Sequence, residues 1–209
     1  MKTKKDDLVE IEFTGKIKGT DQVFDTTDQE EAKKAGLVDD KVRREFKPMK
    51  VFIGKGQVAK GFDKVLEDKE TGKDYHIEID SKDAYGKRDA KLIKTLPMHA
   101  FEQQPVRGMF VNVNGLVARV ISVTGGRVLV DFNNPLSGKD LVYDFKIIKI
   151  ITDKKEKITV LVEKYRLKPE IEEKEGKLKV KIKGPEQIVK NIEKEAKELN
   201  IDAIFEVQK

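Results

Sequence analysis

Apolar and polar residues alternate with a period of two in run after run of this chain, and most of the runs are joined by glycine turns rather than by helices. In LVEIEFTGKIKG, from Leu8 to Gly19, Val9, Ile11 and Phe13 fall on one face and Glu10, Glu12 and Thr14 on the other, the pattern of a half-buried strand. A turn at Gly19-Thr20-Asp21 and the strand-like QVFDTT after it make the opening an antiparallel hairpin. MKVFIG and DYHIEID follow as further strands. MFVNVN, LVARVIS and RVLVDF repeat the texture, with Asn114-Gly115 and Gly125-Gly126 between neighbours as tight hairpin turns. LVYDFKIIKIIT, rich in β-branched and aromatic residues, then reads as a central strand returning to the first sheet. Such a chain can build an antiparallel sheet and little else.

That constraint decides the meaning of one tempting motif. GKGQVA, from Gly54 to Ala59, satisfies G-x-G-x-x-[GA] behind an apolar run, and Asp80 lies roughly 20 residues on, where a dinucleotide site places its ribose-binding acid. A phosphate loop works at the head of a parallel sheet whose helix N-termini face the ligand. Here the flanking elements are hairpins, and Gly61 would fall inside the phosphate helix. The glycines are read instead as sharp-turn residues leading into the short helix VAKGFDKVLED, where Val58, Phe62, Val65 and Leu66 recur at helical spacing and Gly72 closes the element. Residues 28–46, charged and helix-prone with Gly36 as a stop and Pro48 beyond, read as a surface excursion.

From about Lys154 the chain changes character. ITVLVEKY and KLKVKIKG read as strands, GPEQIVKNIEKEAKELN as a helix with Pro185 near its start, and DAIFEV as a final strand. Ile188, Ile192, Ala196 and Leu199 form the apolar stripe of that helix. A unit of about 55 residues is marginal as an independent core, so docking onto a partner, or a homodimer through this unit, would stabilise it.

Composition removes several function classes. The 209 residues include no cysteine, which excludes disulfides, zinc-thiolate sites and thiol catalysis and fits a cytoplasmic location. No apolar run approaches a membrane span, and MKTKKDDLVE has no apolar leader segment, so neither export nor membrane contact is expected. The 43 Lys and Arg nearly cancel against 38 Asp and Glu and interleave with them along the chain, whereas nucleic-acid binders concentrate their basic residues; nucleic acid is therefore not favoured as a partner. His76, within a strand, and His99, beside a proline, have no motif partner, and there is no HExxH, Walker loop or histidine cluster, so no metal or cofactor is expected.

What recurs instead is aromatic and aliphatic residues at turns: Phe13, Phe24-Asp25, Val58-Ala59, Phe62, Tyr85 and Tyr143. They fit the plain core of a small β domain, or the walls of an apolar pocket. Tyr85, bracketed by Ala84 and Gly86, and Asp25, directly after an inward-pointing aromatic, are polar groups that a plain core does not need.

EFTGKIKGTDQVFDTT, VFIGKGQVAKGFDKVLEDKETGK, DAYG and LVYDFKI, taken in order from Asp7 to Ile150, resemble the FKBP-type peptidyl-prolyl cis-trans isomerases. The β-rich segment between the last two blocks resembles the insert-in-flap domain of SlyD-like members, with PLSGKDL as its exit, and the tail resembles that of the C-terminally extended archaeal members. The resemblance implies an antiparallel sheet wrapped on one short helix (residues 1–86 and 136–153) with a small β insert domain in the flap (87–135), and with the C-terminal α/β domain read from the residue pattern (154–209) the expected fold class is α+β. The resemblance implies an isomerase of X-Pro bonds whose insert binds unfolded or extended polypeptides containing proline, a chaperone activity. Carried over by position, Asp25, Tyr85 and Phe62 take catalytic roles, and Phe13, Phe24, Val58, Ala59 and Tyr143 bind substrate, the Ala59 backbone N–H meeting a substrate carbonyl. Phe13 stands where a tyrosine is common, Ala59 replaces a larger aliphatic and Phe62 replaces a frequent tryptophan, which implies a slightly larger, less polar pocket. The competing expectation is a non-enzymatic β-barrel adaptor for RNA or the ribosome, motivated by the pI near 9.0 and the lysine-rich tail.

Overall fold

A computed structural model describes residues 1–20, 22–39, 44–174 and 177–208; Asp21 of the expected first turn and residues 40–43 of the charged excursion lie outside them. The first alternating runs form β1 (Leu8–Ile17), β2 (Val23–Thr26), β3 (Met49–Phe52) and β4 (Asp74–Ile79), with α1 (Gln29–Lys34) between β2 and β3 and α2 (Lys60–Val65) between β3 and β4. The Asp28 carboxylate accepts the Glu31 N–H at 2.8 Å and starts α1; Gly36, at φ +67°, follows just past its end. The insert contributes β5 (Ile93–Pro97), β6 (Phe110–Val113), β7 (Leu116–Thr124) and β8 (Arg127–Asp131), after which β9 (Leu141–Ile151) returns.

β9 runs antiparallel between β1 and β4. The other edge of β1 is shared, with β3 along Leu8–Ile11 and β2 along Thr14–Lys16. α2 lies across one face of this five-stranded antiparallel sheet. Phe62 and Leu66 are fully buried there with Val9, Ile11, Phe13, Tyr143, Phe145 and Ile147, each large side chain contributing about 1.5–3 kcal/mol through removal from water. The insert is a separate four-stranded antiparallel sheet in the order β5-β8-β7-β6, closed around Ala118, Val120, Val128 and Val130.

The C-terminal unit comprises α3 (Lys154–Glu163), β10 (Pro169–Lys174), β11 (Lys177–Lys183), α4 (Glu186–Glu198) and β12 (Ala203–Gln208). Its sheet has the order β10-β11-β12, the first pair antiparallel and the second parallel. Here one sequence expectation fails: ITVLVEKY is not a strand but most of a helix. The Asp153 carboxylate accepts the Glu156 N–H at 2.7 Å, a side-chain cap that starts α3. Ile158, Leu161, Val162 and Tyr165 then recur at i, i+3, i+4 and i+7 and pack into one apolar cluster. The β-branched residues between them disguised that stripe, because β propensity is weaker than the packing of a buried helical face.

That cluster also answers what supports so small a unit. Ile158, Leu161, Val180, Ile182 and Ile192 share a single core with Leu8, Phe52 and Ile151 of the first sheet. Leu8 and Phe52 alternate with Val9 and Val51, so they point away from α2 and present an apolar patch on the back of that sheet. The C-terminal unit covers this patch. Lys50–Glu156 at 2.7 Å and Lys55–Glu198 at 3.5 Å span the same junction, though ion pairs this exposed add little beside the shared apolar core. Among the described residues, no helix is long and apolar enough to cross a membrane.

Candidate active site

The antiparallel register places aromatic residues of separate strands side by side. Tyr143 of β9 pairs with Gly15 of β1 and Ile77 of β4, and Phe145 pairs with Phe13 and Tyr75. Phe62 rises from α2 and stacks on Tyr143 at 4.3 Å between centroids, 18° from parallel. Phe13 meets Phe62 edge-on at 5.7 Å and Tyr143 at 6.0 Å. Phe24 of β2 meets Tyr143 edge-on at 5.7 Å, and Phe145 and Tyr75 extend the cluster behind. Such offset and edge-on ring pairs each add about 0.5–1.5 kcal/mol beyond burial. Of the residues singled out from the sequence, Phe13, Phe62, Tyr143 and Ala59 are buried, Phe24, Asp25 and Val58 are half-buried, and Tyr85 is exposed. The rings therefore form a floor, and Phe24, Val58 and Tyr85 the accessible rim.

Glycine makes room for this floor at one strand position. A Cβ at Gly15 would lie 2.5 Å from Phe24 Cζ, so only a residue without a side chain lets Phe24 reach across β1 to Tyr143.

Two polar groups stand at the rim. The Asp25 carboxylate is paired with the Arg44 guanidinium, and the Arg44 guanidinium also lies 4.9 Å from the Phe46 ring centroid. Burial raises the Tyr85 phenol pKa, and the charge of Asp25 raises it further. Burial likewise pushes the Tyr143 phenol up, helped by Tyr85 and Asp25. Both phenols therefore stay protonated at physiological pH and remain hydrogen-bond donors.

The glycine motif finds its explanation beside the rings. The Asp63 carboxylate on α2 accepts the Gly54 N–H and the Gly56 N–H, each at 2.8 Å. The loop does bind an anion with its backbone amides, as the fingerprint suggests, but the anion is the protein's own buried side chain. Gly54 and Gly56 both have positive φ, the conformation glycine tolerates best. The turn so fixed carries Val58 and Ala59 to the rim, and the Ala59 N–H makes no hydrogen bond among the described residues. Gly61 donates to the Asp83 carbonyl at 2.6 Å, and a Cβ there would lie 2.5 Å from Ile79 Cγ2; this close approach seats the turn bearing Tyr85 against α2.

Sequence reasoning missed Gly15, Arg44 and Asp63. Asp63 sits within the helix motif itself, and an acid just after a G-x-G turn was its available signal. Arg44 had none, because its partner Asp25 lies 19 residues away. Among the described residues, no three His, Asp or Glu side chains gather as they would around a metal ion.

A cluster of rings beside two protonated phenols and a free backbone donor carries the groups needed to hold an apolar ring and a carbonyl oxygen together. The class these features define is a catalyst acting by binding and geometry on a peptide group. The model of the FKBP-type peptidyl-prolyl cis-trans isomerase family matches residues 1–102, and the model described as FKBP26, IF domain, matches residues 94–136. The chain is 31% identical over 147 residues to a short-type peptidyl-prolyl cis-trans isomerase of Methanocaldococcus jannaschii, an alignment covering 69% of this chain and 91% of that protein. It is 26% identical over 138 residues to the FKBP-type peptidyl-prolyl cis-trans isomerase SlyD of Helicobacter pylori, covering 58% and 75%, and 27% identical over 109 residues to SlyD of Escherichia coli, covering 49% and 56%. The chain belongs to the FKBP-type peptidyl-prolyl cis-trans isomerases, SlyD-like in kind, and its enzyme class is that of the family. The non-enzymatic adaptor gives way to this assignment.

Proposed function

We propose that the isomerase acts on X-Pro bonds of unfolded or extended polypeptides at the accessible edge of the ring cluster of Phe24, Phe62 and Tyr143, and that the insert holds the same chains as a chaperone in the cytoplasm. The convergence of Phe13, Phe24, Phe62 and Tyr143 on one point, with Asp25 and Tyr85 at its rim, carries the reading. Rotation about an X-Pro bond meets a barrier of about 20 kcal/mol because amide resonance gives the C–N bond double-bond character. No bond is made or broken, so the catalyst has only to favour the twisted amide over the planar one. The twisted form has less charge separation, and a surface of rings that excludes water favours it. The Ala59 N–H and the Tyr85 phenol hold carbonyl oxygens in place, and Asp25, tied to Arg44, orients the rim without transferring a proton. Phe62 lies beneath Tyr143 and acts by positioning it.

A protease-free assay of an X-Pro tetrapeptide tests the site. Phe62→Ala is a poor probe, since removing a fully buried ring costs about 3–5 kcal/mol of stability. Tyr85→Phe and Asp25→Asn sit at the rim and leave the floor intact. Together they should lower kcat/KM about tenfold or more, the worth of a hydrogen bond to a charged or strongly polarised group. An unchanged rate would remove these residues from the site.

For the insert, the supporting observation is the open edge strand β6 with Met109, Phe110, Leu116 and Val117 exposed on or beside it. A strand edge flanked by apolar side chains can pair with an extended chain. Deleting residues 89–133 should abolish suppression of aggregation while the tetrapeptide rate persists; suppression that survives the deletion refutes the role. Self-association through the C-terminal unit would use the open edge of β12, where Ile204 and Val207 are exposed, and the solution mass of the chain reads it directly.

A further inference from the structure

The junction between the insert and the first sheet contains a cavity of about 510 Å³ whose lining includes Arg88, Arg107, Arg119 and Lys139, with Asp131 as its only acid. Asp131 is already committed. Arg88 donates to its Oδ2 through Nε at 2.8 Å and contacts it through Nη2 at 2.6 Å. Asn133 donates to its Oδ1 through the backbone N–H at 2.9 Å and through Nδ2 at 2.6 Å. Arg119 lies directly across from Asp131 in the β7–β8 register, yet finds both carboxylate oxygens occupied. Among the described residues, the side chains of Arg107, Arg119 and Lys139 form no hydrogen bond or ion pair. Three cations thus face one hollow without compensation, in a chain whose other basic residues are largely interleaved with acids.

We propose that this hollow is an anion subsite that takes an Asp or Glu side chain of the polypeptide client. Guanidinium groups suit a carboxylate because they can engage both of its oxygens at once. The occupant follows from what borders the hollow. On one side Phe110 of β6, the open edge, lies opposite Arg119; on the other, Ser137 donates to the Tyr85 carbonyl at 3.2 Å, next to the rim of the prolyl site. An extended chain held by the insert edge while its proline sits at the rim runs past Arg119 and Lys139. Clients with an acidic residue near the proline are therefore captured in preference. This inference rests on the client-binding role proposed above.

Two fluorescent proline-containing peptides, identical except that one carries Glu where the other carries Gln, test it by anisotropy with the full chain at low and high salt. The Glu peptide should bind about fivefold more tightly per engaged cation, and the preference should fade at high salt. Arg107→Gln with Arg119→Gln should erase the preference while leaving tetrapeptide isomerisation unchanged, and Arg119→Lys, which keeps the charge, should retain part of it. Equal binding of the two peptides, or a preference that survives the double Gln variant, overturns the subsite. A single-stranded RNA that displaces the Glu peptide at lower concentration than the unlabelled Glu peptide does would overturn the polypeptide assignment. If neither peptide binds, the client-binding role fails along with the subsite; if both bind equally, the subsite alone fails.

Discussion

Gly15→Ala adds one methyl group near the C-terminal end of β1, and the structure says where its force falls. The new Cβ would lie 2.5 Å from Phe24 Cζ and 3.0 Å from both Cε atoms, whereas carbon contacts settle at about 3.5–4.0 Å, so the ring must retreat by about 1 Å. The backbone at Gly15 is not in the left-handed region, so alanine itself fits the strand. Phe24 is half-buried and yields at its far end rather than through the sheet. The edge-on contact with Tyr143, worth about 0.5–1.5 kcal/mol, is weakened, while the smaller entropy of an unfolded alanine returns about 0.4–1 kcal/mol. Unfolding free energy should therefore move by less than about 1 kcal/mol. Catalysis should suffer far more, because a wall displaced by about 1 Å can cost up to a hundredfold; we expect kcat/KM on an X-Pro tetrapeptide to drop about ten- to a hundredfold, or about 1.4–2.7 kcal/mol. A double-mutant cycle isolates the cause: if Gly15→Ala acts only by moving Phe24, then Gly15→Ala with Phe24→Ala should be no slower than Phe24→Ala alone. Wild-type turnover by Gly15→Ala, or additive losses in the cycle, would refute the reasoning.

Asp63→Ala frees the amides of Gly54 and Gly56 and should cost about 2–4 kcal/mol in urea unfolding while lowering kcat/KM through Ala59; unchanged stability, or full activity, would refute the lock. Leu161→Ala should cost about 2–5 kcal/mol, and because its cluster includes Leu8, Phe52 and Ile151 the first sheet and the C-terminal unit should melt together in calorimetry; two separate transitions, with only the second shifted, would deny the shared core. Burial first, and then the hydrogen bond to Glu195, pushes the Tyr165 phenol up to about 12, so the stability tied to it is complete below the unfolded tyrosine value of about 10 and lost as pH rises from there toward 12. Tyr165→Phe should flatten that alkaline decline, and an identical decline in both proteins would exclude Tyr165 as its source.

The sheet was legible because period-two alternation survives any local context: Val9, Ile11 and Phe13 had to share a face, and they do. Much of the aromatic floor was legible for a related reason, since ordered blocks fixed which strands carry Phe13, Phe24 and Tyr143. What could not be seen was the second use of those same strands. Leu8 and Phe52 fit the alternation equally well as solvent-facing residues, and only the arrival of α3 turns them into core. α3 was itself misread because Val160 and Val162 are good strand formers, and the stripe that decides for a helix runs through Ile158, Leu161 and Tyr165 at wider spacing. Arg44 and Gly15 were hidden more deeply. Their roles depend on one contact each, to Asp25 and to Phe24, and a contact across strands leaves no periodic trace in the sequence.

In a reaction that breaks no bond, rate can come only from geometry fixed before the substrate arrives, and in the site proposed above the glycine turn is the element that fixes it. A loop that presented free amides at Gly54 and Gly56 would be an open anion site, and would move when one bound. By filling that site with Asp63 from the helix below, the fold locks the turn, and the Ala59 N–H farther along it makes no hydrogen bond among the described residues. Gly61 then brings the Asp83 carbonyl and the Tyr85 turn against the same helix. Two hydrogen-bond donors on different loops are thus referred to one short element, so their separation is set by α2 rather than by either loop. It follows that loosening α2 should degrade turnover before it degrades binding, because a client can still reach the rings when the donors that hold its carbonyls have lost their fixed spacing.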